Sequence, residues 1–163
     1  MKDLNDTVAW ITGAGTGIGE GAAVAMAREG AKVILTGRRL DPLELVSKKI
    51  ENAGGFVEIA QGDAMDRPGM MALAKDIRNR YGKLDLLFNN HGINITNRNW
   101  GGGNLEGWDE VIDVNVKGAY NCALAALEVM RPQGEGTIIT TSSKAGVNYS
   151  PRAGVAYLSL IHI

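Results

Sequence analysis

Short apolar runs alternate along this chain with longer segments in which apolar residues recur at helical spacing. The runs predict five strands, at residues 7–11, 32–36, 56–61, 84–88 and 136–141. The intervening segments predict helices at residues 17–29, 42–52 and 68–81 and a pair of helices covering 108–130. Runs such as Val33-Ile34-Leu35 are continuously apolar, which is typical of parallel strands covered on both faces. With right-handed crossovers, this order predicts an α/β fold with an open, doubly wound parallel sheet.

Turn and capping residues mark the ends of several of these elements. Asp41-Pro42 predicts a helix start, with a capping carboxylate followed by proline at the first helical position. Gly30 and Gly54-Gly55 stand where helix C-caps belong. The one long irregular stretch is 93–107, which contains Trp100 and three consecutive glycines. That stretch is compatible with a mobile rim of a site and equally with a plain solvent-exposed loop.

A glycine-rich run stands between the first predicted strand and the first predicted helix: Thr12-Gly13-Ala14-Gly15-Thr16-Gly17-Ile18-Gly19. Strand, glycine turn and helix in this order place backbone N–H groups and a helix N-terminus against a pyrophosphate. Gly13 can take the tight turn, Gly17 lets a phosphate approach the backbone, and Gly19 lets the helix pack close to the sheet. The run therefore predicts a dinucleotide-binding loop on a Rossmann-like sheet.

The spacing T-G-x-x-x-G-x-G differs from the general G-x-G-x-x-G fingerprint and resembles the classical short-chain dehydrogenase/reductase family. Asn89-Asn90-His91-Gly92 is similar to that family's Asn-Asn-Ala-Gly, and Ser142-Ser143-Lys144-Ala145-Gly146 to its Ser-Ser-x-Ala-Gly. Asn115 and Tyr157 match further family positions, and the resemblance covers residues 7–157. It implies a Rossmann-like sheet that is truncated after the fifth strand.

The resemblance implies an NAD(P) cofactor, and the end of the second strand bears on which of the two is bound. An acidic residue there would bond the ribose 2′-OH and select NAD, but Gly37 occupies that position and Arg38 and Arg39 follow it. Arginine is suited to a bidentate grip on a 2′-phosphate. The sequence therefore favours NADP over NAD, the alternative being that one or both arginines are solvated loop residues.

Further cofactor contacts are implied by the resemblance. Asp63, with Ala64, fits the place where a family aspartate meets the adenine amino group, although a cap on the approach to a helix is the alternative. His91 stands where the family usually has alanine, and a local packing or hydrogen-bonding variant is favoured over a catalyst. The full cofactor set is Thr12, Gly13, Gly15, Thr16, Gly17, Ile18, Gly19, Arg38, Arg39, Asp63, Ala64, Asn90, His91 and Gly92.

The resemblance also implies three catalytic residues. Asn115 would hold a water, and the Ser143 hydroxyl would bond the substrate oxygen and stabilise developing charge. Tyr157, 14 residues after Ser143 and one more than the commonest family spacing, would give or take the alcohol proton. A free tyrosine titrates near pH ~10, and the family lowers this with a lysine four residues later. Here Ile161 occupies that position.

The last six residues, Leu158-Ser159-Leu160-Ile161-His162-Ile163, match the translation of CTGTCTCTTATACACATC, a transposon end used in preparing sequencing libraries. We therefore expect residues 1–157 to form an incomplete NAD(P)-binding domain and 158–163 to be a non-native tail. The alternative is a genuine short protein that lost its lysine.

Composition narrows the remaining classes. Lys plus Arg is 17 and Asp plus Glu is 18 in 163 residues, so no basic field suggests nucleic acid. The single Cys122 excludes an internal disulfide framework and is interpreted as a small buried hydrophobe. Residues 1–6 lack the apolar core of a signal peptide, and no apolar stretch approaches the ~20 residues of a membrane helix. We expect a cytoplasmic protein without a metal, nucleic-acid or membrane partner.

Three functions compete. The resemblance implies an oxidoreductase that interconverts a small secondary alcohol and a ketone, with a full-length parent that is a homodimer or homotetramer. A non-catalytic nucleotide-binding fragment is the alternative for the literal chain, which lacks the lysine. The third is a methyltransferase that uses S-adenosylmethionine, since this class also has a glycine loop on a doubly wound sheet. Such enzymes usually have an acidic residue near the position of Gly37, and Arg38 argues against this function.

Overall fold

The computed structural model describes residues 4–96, 98, 104–148 and 153–162. Its strands are β1 (Val8–Thr12), β2 (Lys32–Thr36), β3 (Phe56–Ile59), β4 (Leu86–Asn89) and β5 (Thr137–Thr140). They form one sheet in the order β3-β2-β1-β4-β5, and every pairing is parallel. The α-helices are α1 (Gly17–Arg28), α2 (Leu40–Asn52), α3 (Arg67–Tyr81), α4 (Leu105–Ile112), α5 (Ala119–Gln133) and α6 (Val155–His162). The predicted doubly wound parallel sheet is confirmed.

Two apolar clusters cover the two faces of the sheet. Successive residues of a strand point to opposite faces, so Trp10 belongs to the cluster that includes residues of α3 and α5. Its neighbour Ile11 belongs to the cluster that includes residues of α1 and α2. This double coverage explains why the central strands are continuously apolar. The edge strands differ, because Phe56 of β3 and Ile139 of β5 are 44% and 43% exposed.

Most element ends lie within two residues of their predicted positions, but the predicted cap of α2 is wrong. The N-cap of α2 is Arg39, which makes no side-chain capping bond, and the helix begins at Leu40. Asp41 and Pro42 therefore lie inside the first turn, where proline's missing N–H leaves no helical bond unmade. The predicted C-cap glycines are confirmed, because Gly30 and Gly54 directly follow the caps of α1 and α2 with φ of +93° and +77°.

The predicted helix pair is one continuous helical run with a wider turn in its middle. The π-helical segment Asp113–Gly118 joins α4 to α5 without a break. Such π turns are rare and occur frequently at functional sites, and Asn115 lies in this one. Trp100, the three glycines that follow it, and residues 149–152 of the loop before α6 lie outside the described residues.

Two expectations from composition can be compared with the fold. Cys122 is fully buried in α5, and burial raises the pKa of its thiol to about 12, so it is the small buried hydrophobe that was predicted. Among the helices of the described residues, none combines the length and the apolar character needed to cross a membrane.

Candidate functional site

The carboxyl ends of the strands open into a cleft of about 1390 Å³. The chain order reverses between β1 and β4, and ligands of doubly wound sheets bind at such a switch point. The cleft brings together most of the predicted site residues, namely Thr12, Gly13, Gly15, Thr16, Ile18, Arg38, Arg39, Asp63, Ala64, Asn90, His91, Gly92, Asn115, Ser143 and Tyr157. Gly17 and Gly19 do not line it, and they shape the loop from within the start of α1.

The glycine loop has one open position and one crowded position. Gly17 has φ of +61°, and no heavy atom lies within 4 Å of the place that a Cβ would occupy. At Gly19 a Cβ would overlap the carbonyl oxygen of Gly13 and crowd Nδ2 of Asn90. Gly19 therefore lets α1 lie close to the residues that directly follow β1 and β4, in line with the prediction that it permits close packing of the helix on the sheet.

A hydrogen-bond network ties the loop to the ends of β4 and β5. Thr12 Oγ1 accepts from the backbone N–H groups of Asn90 (3.0 Å) and His91 (3.2 Å). The Asn90 amide donates to the carbonyl oxygens of Thr12 and Gly13, both at 3.3 Å, and its Oδ1 accepts from Thr141 Oγ1 at 2.9 Å. The Asn-Asn-x-Gly segment thus fixes the position of the glycine turn.

His91 is an acceptor in this network. The oxygen of Thr12 already accepts two N–H groups, so we assign its single proton to the bond with His91 Nδ1 at 2.8 Å, which is shorter than the contacts with Asn89 Oδ1 (3.4 Å) and the Phe88 carbonyl (3.5 Å). His91 is then neutral, with its own proton on Nε2, and that buried atom has no hydrogen-bond partner of standard geometry in the described part of the chain. Burial lowers the pKa of His91, and the Val114 carbonyl and Asp63 oppose that shift.

This lowered pKa makes the stability of the protein depend on pH. The unfolded chain binds a proton at His91 more readily than the folded one, so we expect the free energy of unfolding to decrease as pH falls below about 6.5. His91→Ala should be less stable than the wild type at neutral pH and should show a flatter decrease between about pH 7 and about pH 5. Urea unfolding across this range measures both effects, and an unchanged slope would contradict the assignment.

Asn115 uses its side chain as a clamp. Its Oδ1 accepts from the backbone N–H of Ile93 at 2.7 Å, and its Nδ2 donates to the carbonyl oxygen of Ile93 at 2.8 Å. The amide thereby holds the segment that leaves β4 against the π turn. Because both ends of the amide are engaged, the carboxamide acts first as a structural link between two walls of the cleft.

Ser143 and Tyr157 stand on one wall of the cleft. Ser143 is the N-cap of the short 3-10 turn Lys144–Gly146, where its Oγ accepts from the N–H of Ala145 at 3.2 Å. That bond uses a lone pair and leaves the hydroxyl proton for another acceptor. Tyr157 is half-buried in the first turn of α6, and Ile161 lies one turn later, against Gly146.

The other end of the cleft is basic. Arg38 and Arg39 are exposed, and within the described residues neither forms an ion pair with a carboxylate. The backbone beneath them is fixed, because the Gln61 side chain donates to the Arg38 carbonyl at 2.9 Å. Asp63 accepts from the N–H of Met65 at 2.9 Å in a local turn. The N-cap of α3 is Asp66, so Asp63 does not cap that helix.

Two residues of the site escaped sequence reasoning. Asn121 is buried in α5, donates to the Ala64 carbonyl at 3.0 Å and accepts from Arg67 Nε at 2.8 Å, so it holds the loop after β3 at the cleft. Asn121 is a polar residue on the apolar face of a predicted helix, and that pattern could have marked it in the sequence. Arg98 lines the cleft as well, and no periodicity marks it because it lies in irregular chain. The residues that the structure describes contain no cluster of three His, Cys, Asp or Glu side chains suited to a metal.

Comparison with known proteins gives consistent matches. Residues 7–159 match the family described as short chain dehydrogenase. An uncharacterized oxidoreductase of Listeria innocua is 36% identical over 152 residues, which are 93% of this chain and 61% of that protein. A 3beta-hydroxysteroid dehydrogenase of Mediterraneibacter gnavus is 33% identical over 162 residues, covering 99% of this chain and 58% of that protein. The chain thus spans about three fifths of the length of these relatives.

Solved structures agree with this match. A short-chain type dehydrogenase/reductase from Mycobacterium marinum superposes with a TM-score of 0.90 at 33% identity, over 96% of this chain and 64% of that one. A metagenomic short-chain oxidoreductase in complex with NADP superposes with a TM-score of 0.88 at 33% identity, over 97% of this chain and 71% of that one. With the glycine loop, the Asn-Asn-x-Gly network and the Ser143 and Tyr157 wall at one cleft, the chain belongs to the classical short-chain dehydrogenase/reductase family.

Proposed function

We propose that this protein is an NAD(P)-dependent oxidoreductase that interconverts a small secondary alcohol and a ketone. The observation that carries the proposal is the shared cleft, which has the glycine loop along one side and both Ser143 and Tyr157 on another. Family membership supports it. So do a relative named 3beta-hydroxysteroid dehydrogenase and a structural neighbour solved with NADP.

The residues present fit a dinucleotide. The space beside Gly17 is open and lies at the N-terminus of α1, where backbone N–H groups and the helix dipole favour a pyrophosphate. Thr12, Asn90 and Asn121 hold the surrounding loops in position through the hydrogen bonds described above. Arg38 and Arg39, which have no carboxylate partner in the described part of the chain, would hold a 2′-phosphate, and we therefore propose NADP.

The bound nicotinamide would supply or accept the hydride. Ser143 would donate its free hydroxyl proton to the substrate oxygen and stabilise the charge that develops there. Tyr157 would give the proton to that oxygen during reduction and take it back during oxidation. Asn115, through its clamp on Ile93, would keep the π turn and the β4 exit at a fixed separation around the reacting groups.

The second candidate function for the 163-residue chain is that of a nucleotide-binding fragment without catalytic activity. The presence of Ile161 one turn after Tyr157 favours this candidate. The side chain one turn after Tyr157 is apolar and packs toward Gly146, so no cation from that position favours the tyrosinate. We propose that residues 1–157 are part of a longer NAD(P)-binding domain and that 158–163 are a non-native tail. The match of the tail to a transposon end supports the second part, and the length of the relatives, of which the chain spans about three fifths, supports the first.

The proposal is tested with an extended version, in which the chain after Tyr157 continues as its own gene encodes. It should oxidise NADPH in the presence of small ketones. The decrease in NADPH absorbance measures this reaction. We expect the active form to be a homodimer or homotetramer, measured by light scattering. A protein that binds NADPH but reduces no ketone in a broad panel would favour the non-catalytic candidate.

Cofactor choice should depend on Arg38. Arg38→Ala should weaken NADP binding by about 1.5–3 kcal/mol, the loss expected for a charged hydrogen bond, and should leave NAD binding nearly unchanged. Calorimetric titration of both cofactors measures the difference. Arg28→Ala is the matched control, because Arg28 is exposed at the last turn of α1 and does not line the cleft. Equal losses for NAD and NADP would make Arg38 a structural residue.

A further inference from the structure

We propose that the substrate of this site carries an anionic group, a carboxylate or a phosphoryl group, and that Arg98 binds it beside the reacting carbon. The inference rests on the proposed alcohol and ketone chemistry and adds the class of substrate. It starts from a cation, Arg98, that lines the same cleft as Ser143 and Tyr157 and is not among the residues predicted to hold the cofactor.

Arg98 is held in place by the segment that carries Tyr157. The Cβ, Cγ and Cδ atoms of Arg98 lie within 2.5–3.0 Å of the position that a Cβ would take at Gly154, so the stem of the arginine packs directly on that glycine. Nη1 donates to the Ile95 carbonyl at 3.2 Å. Nearby, the Asn94 side chain donates to the Ala153 carbonyl at 2.8 Å. Two contacts thus fasten Asn94 and Arg98 to the residues that precede α6.

The charges around the cleft leave this arginine uncompensated. Asp63 is the acidic residue among the described cleft-lining side chains, and it lies with Arg38 in the wall formed by the loops after β2 and β3. The end that holds Ser143 and Tyr157 contributes Arg98 and Lys144 and no described carboxylate. None of the ion pairs within the described residues includes Arg98. A half-buried cation in such a place is stabilised when a ligand supplies the counter-charge.

The guanidinium chemistry defines what that ligand carries. Its planar fork binds the oxygens of a carboxylate or a phosphoryl group in two parallel hydrogen bonds, and the bond to Ile95 uses only one of its five N–H groups. The positive field of Arg98 and Lys144 would also raise the local concentration of an anionic substrate. Small keto acids, hydroxy acids and their phosphoryl counterparts fit this end of the cleft.

The test compares charged and neutral forms of the same ketone. The extended version, loaded with NADPH, is assayed against keto acids and their methyl esters, and against keto phosphonates and their dimethyl esters. Arg98→Gln should lower kcat/KM for the anionic member of the preferred pair by about 10- to 100-fold, the loss of one charge-assisted hydrogen bond. It should change the neutral member by less than about 2-fold. Arg98→Lys should restore part of the loss, and Arg28→Gln should change neither member.

The possible outcomes test the anion site at Arg98 separately from the proposed oxidoreductase activity. Reduction of neutral ketones that exceeds that of the anionic forms, unchanged in Arg98→Gln, would overturn the inference and keep the proposed function. Equal losses for both members together with a lower melting temperature would also overturn it, because Arg98 would then serve the fold through its contacts with Gly154 and Ile95 and not the substrate. If no ketone is reduced, calorimetry with the anionic compounds decides: binding that Arg98→Gln removes supports the anion site, and an unchanged or absent signal refutes it.

Discussion

The 163-residue chain should reduce ketones at no more than a trace of the rate of the extended version. Two features lead to this expectation. Ile161 stands where a cation would favour ionisation of Tyr157, so the proton transfer that we propose for Tyr157 would lack electrostatic support. In the described structure β5 pairs only with β4 and forms an edge of the sheet, which lowers stability and invites association with other chains. NADPH oxidation and thermal melts of the two proteins measure the difference.

Two variants separate these causes. Ile161→Lys in the 163-residue chain adds a positive charge and leaves the edge of β5 uncovered, so it should recover little turnover. Tyr157→Phe in the extended version should remove turnover, a loss of at least about 100-fold for a general acid, and should spare cofactor binding. Robust turnover by the unmodified 163-residue chain would contradict both the tail assignment and the need for a lysine.

Gly17→Val in the extended version should abolish cofactor binding. The valine side chain would fill the space beside Gly17, which we assign to the pyrophosphate, and it would require a β-branched residue at φ of +61°. The strain at this φ should also cost about 1–3 kcal/mol of stability. Calorimetry or the fluorescence of bound NADPH measures the affinity, and circular dichroism checks that the variant is folded.

Gly21→Val is the matched control for this variant. Gly21 lies in the same helix, has no heavy atom within 4 Å of the place that a Cβ would occupy, and does not line the cleft. Valine there should leave NADP affinity within about 2-fold of the wild type, since a lone change on an exposed helix face is nearly neutral. Wild-type affinity in Gly17→Val would show that the cofactor passes elsewhere, and an equal loss at Gly21 would show a general effect of valine in α1.

The local pattern of the chain was sufficient for its elements and their class. Apolar runs predict the five strands, because a strand that is buried on both faces needs apolar residues whichever helices cover it. Apolar residues at helical spacing predict the helices between the strands. The glycine run predicts a turn whose backbone has positive φ, which favours glycine, and Gly17 has φ of +61°. Where local signals compete the prediction fails, as at Asp41 and Pro42, since proline fits several positions of a first turn equally well.

The tertiary structure alone decided how the site is held together. The bonds from Asn90 and His91 to Thr12 join residues 78 and 79 positions apart, and the clamp of Asn115 on Ile93 spans 22. Arg98 meets Gly154 only because α6 returns to the cleft. Such contacts depend on how whole helices and strands are placed relative to one another. The hydrophobic periodicity of the sequence indicates local structure and does not report this placement. The sequence by itself determined a parallel α/β sheet with a nucleotide loop. The packing of distant segments decided that His91 bonds to Thr12 and that the stem of Arg98 lies on Gly154 in the wall of the cleft, because both contacts follow from three-dimensional proximity.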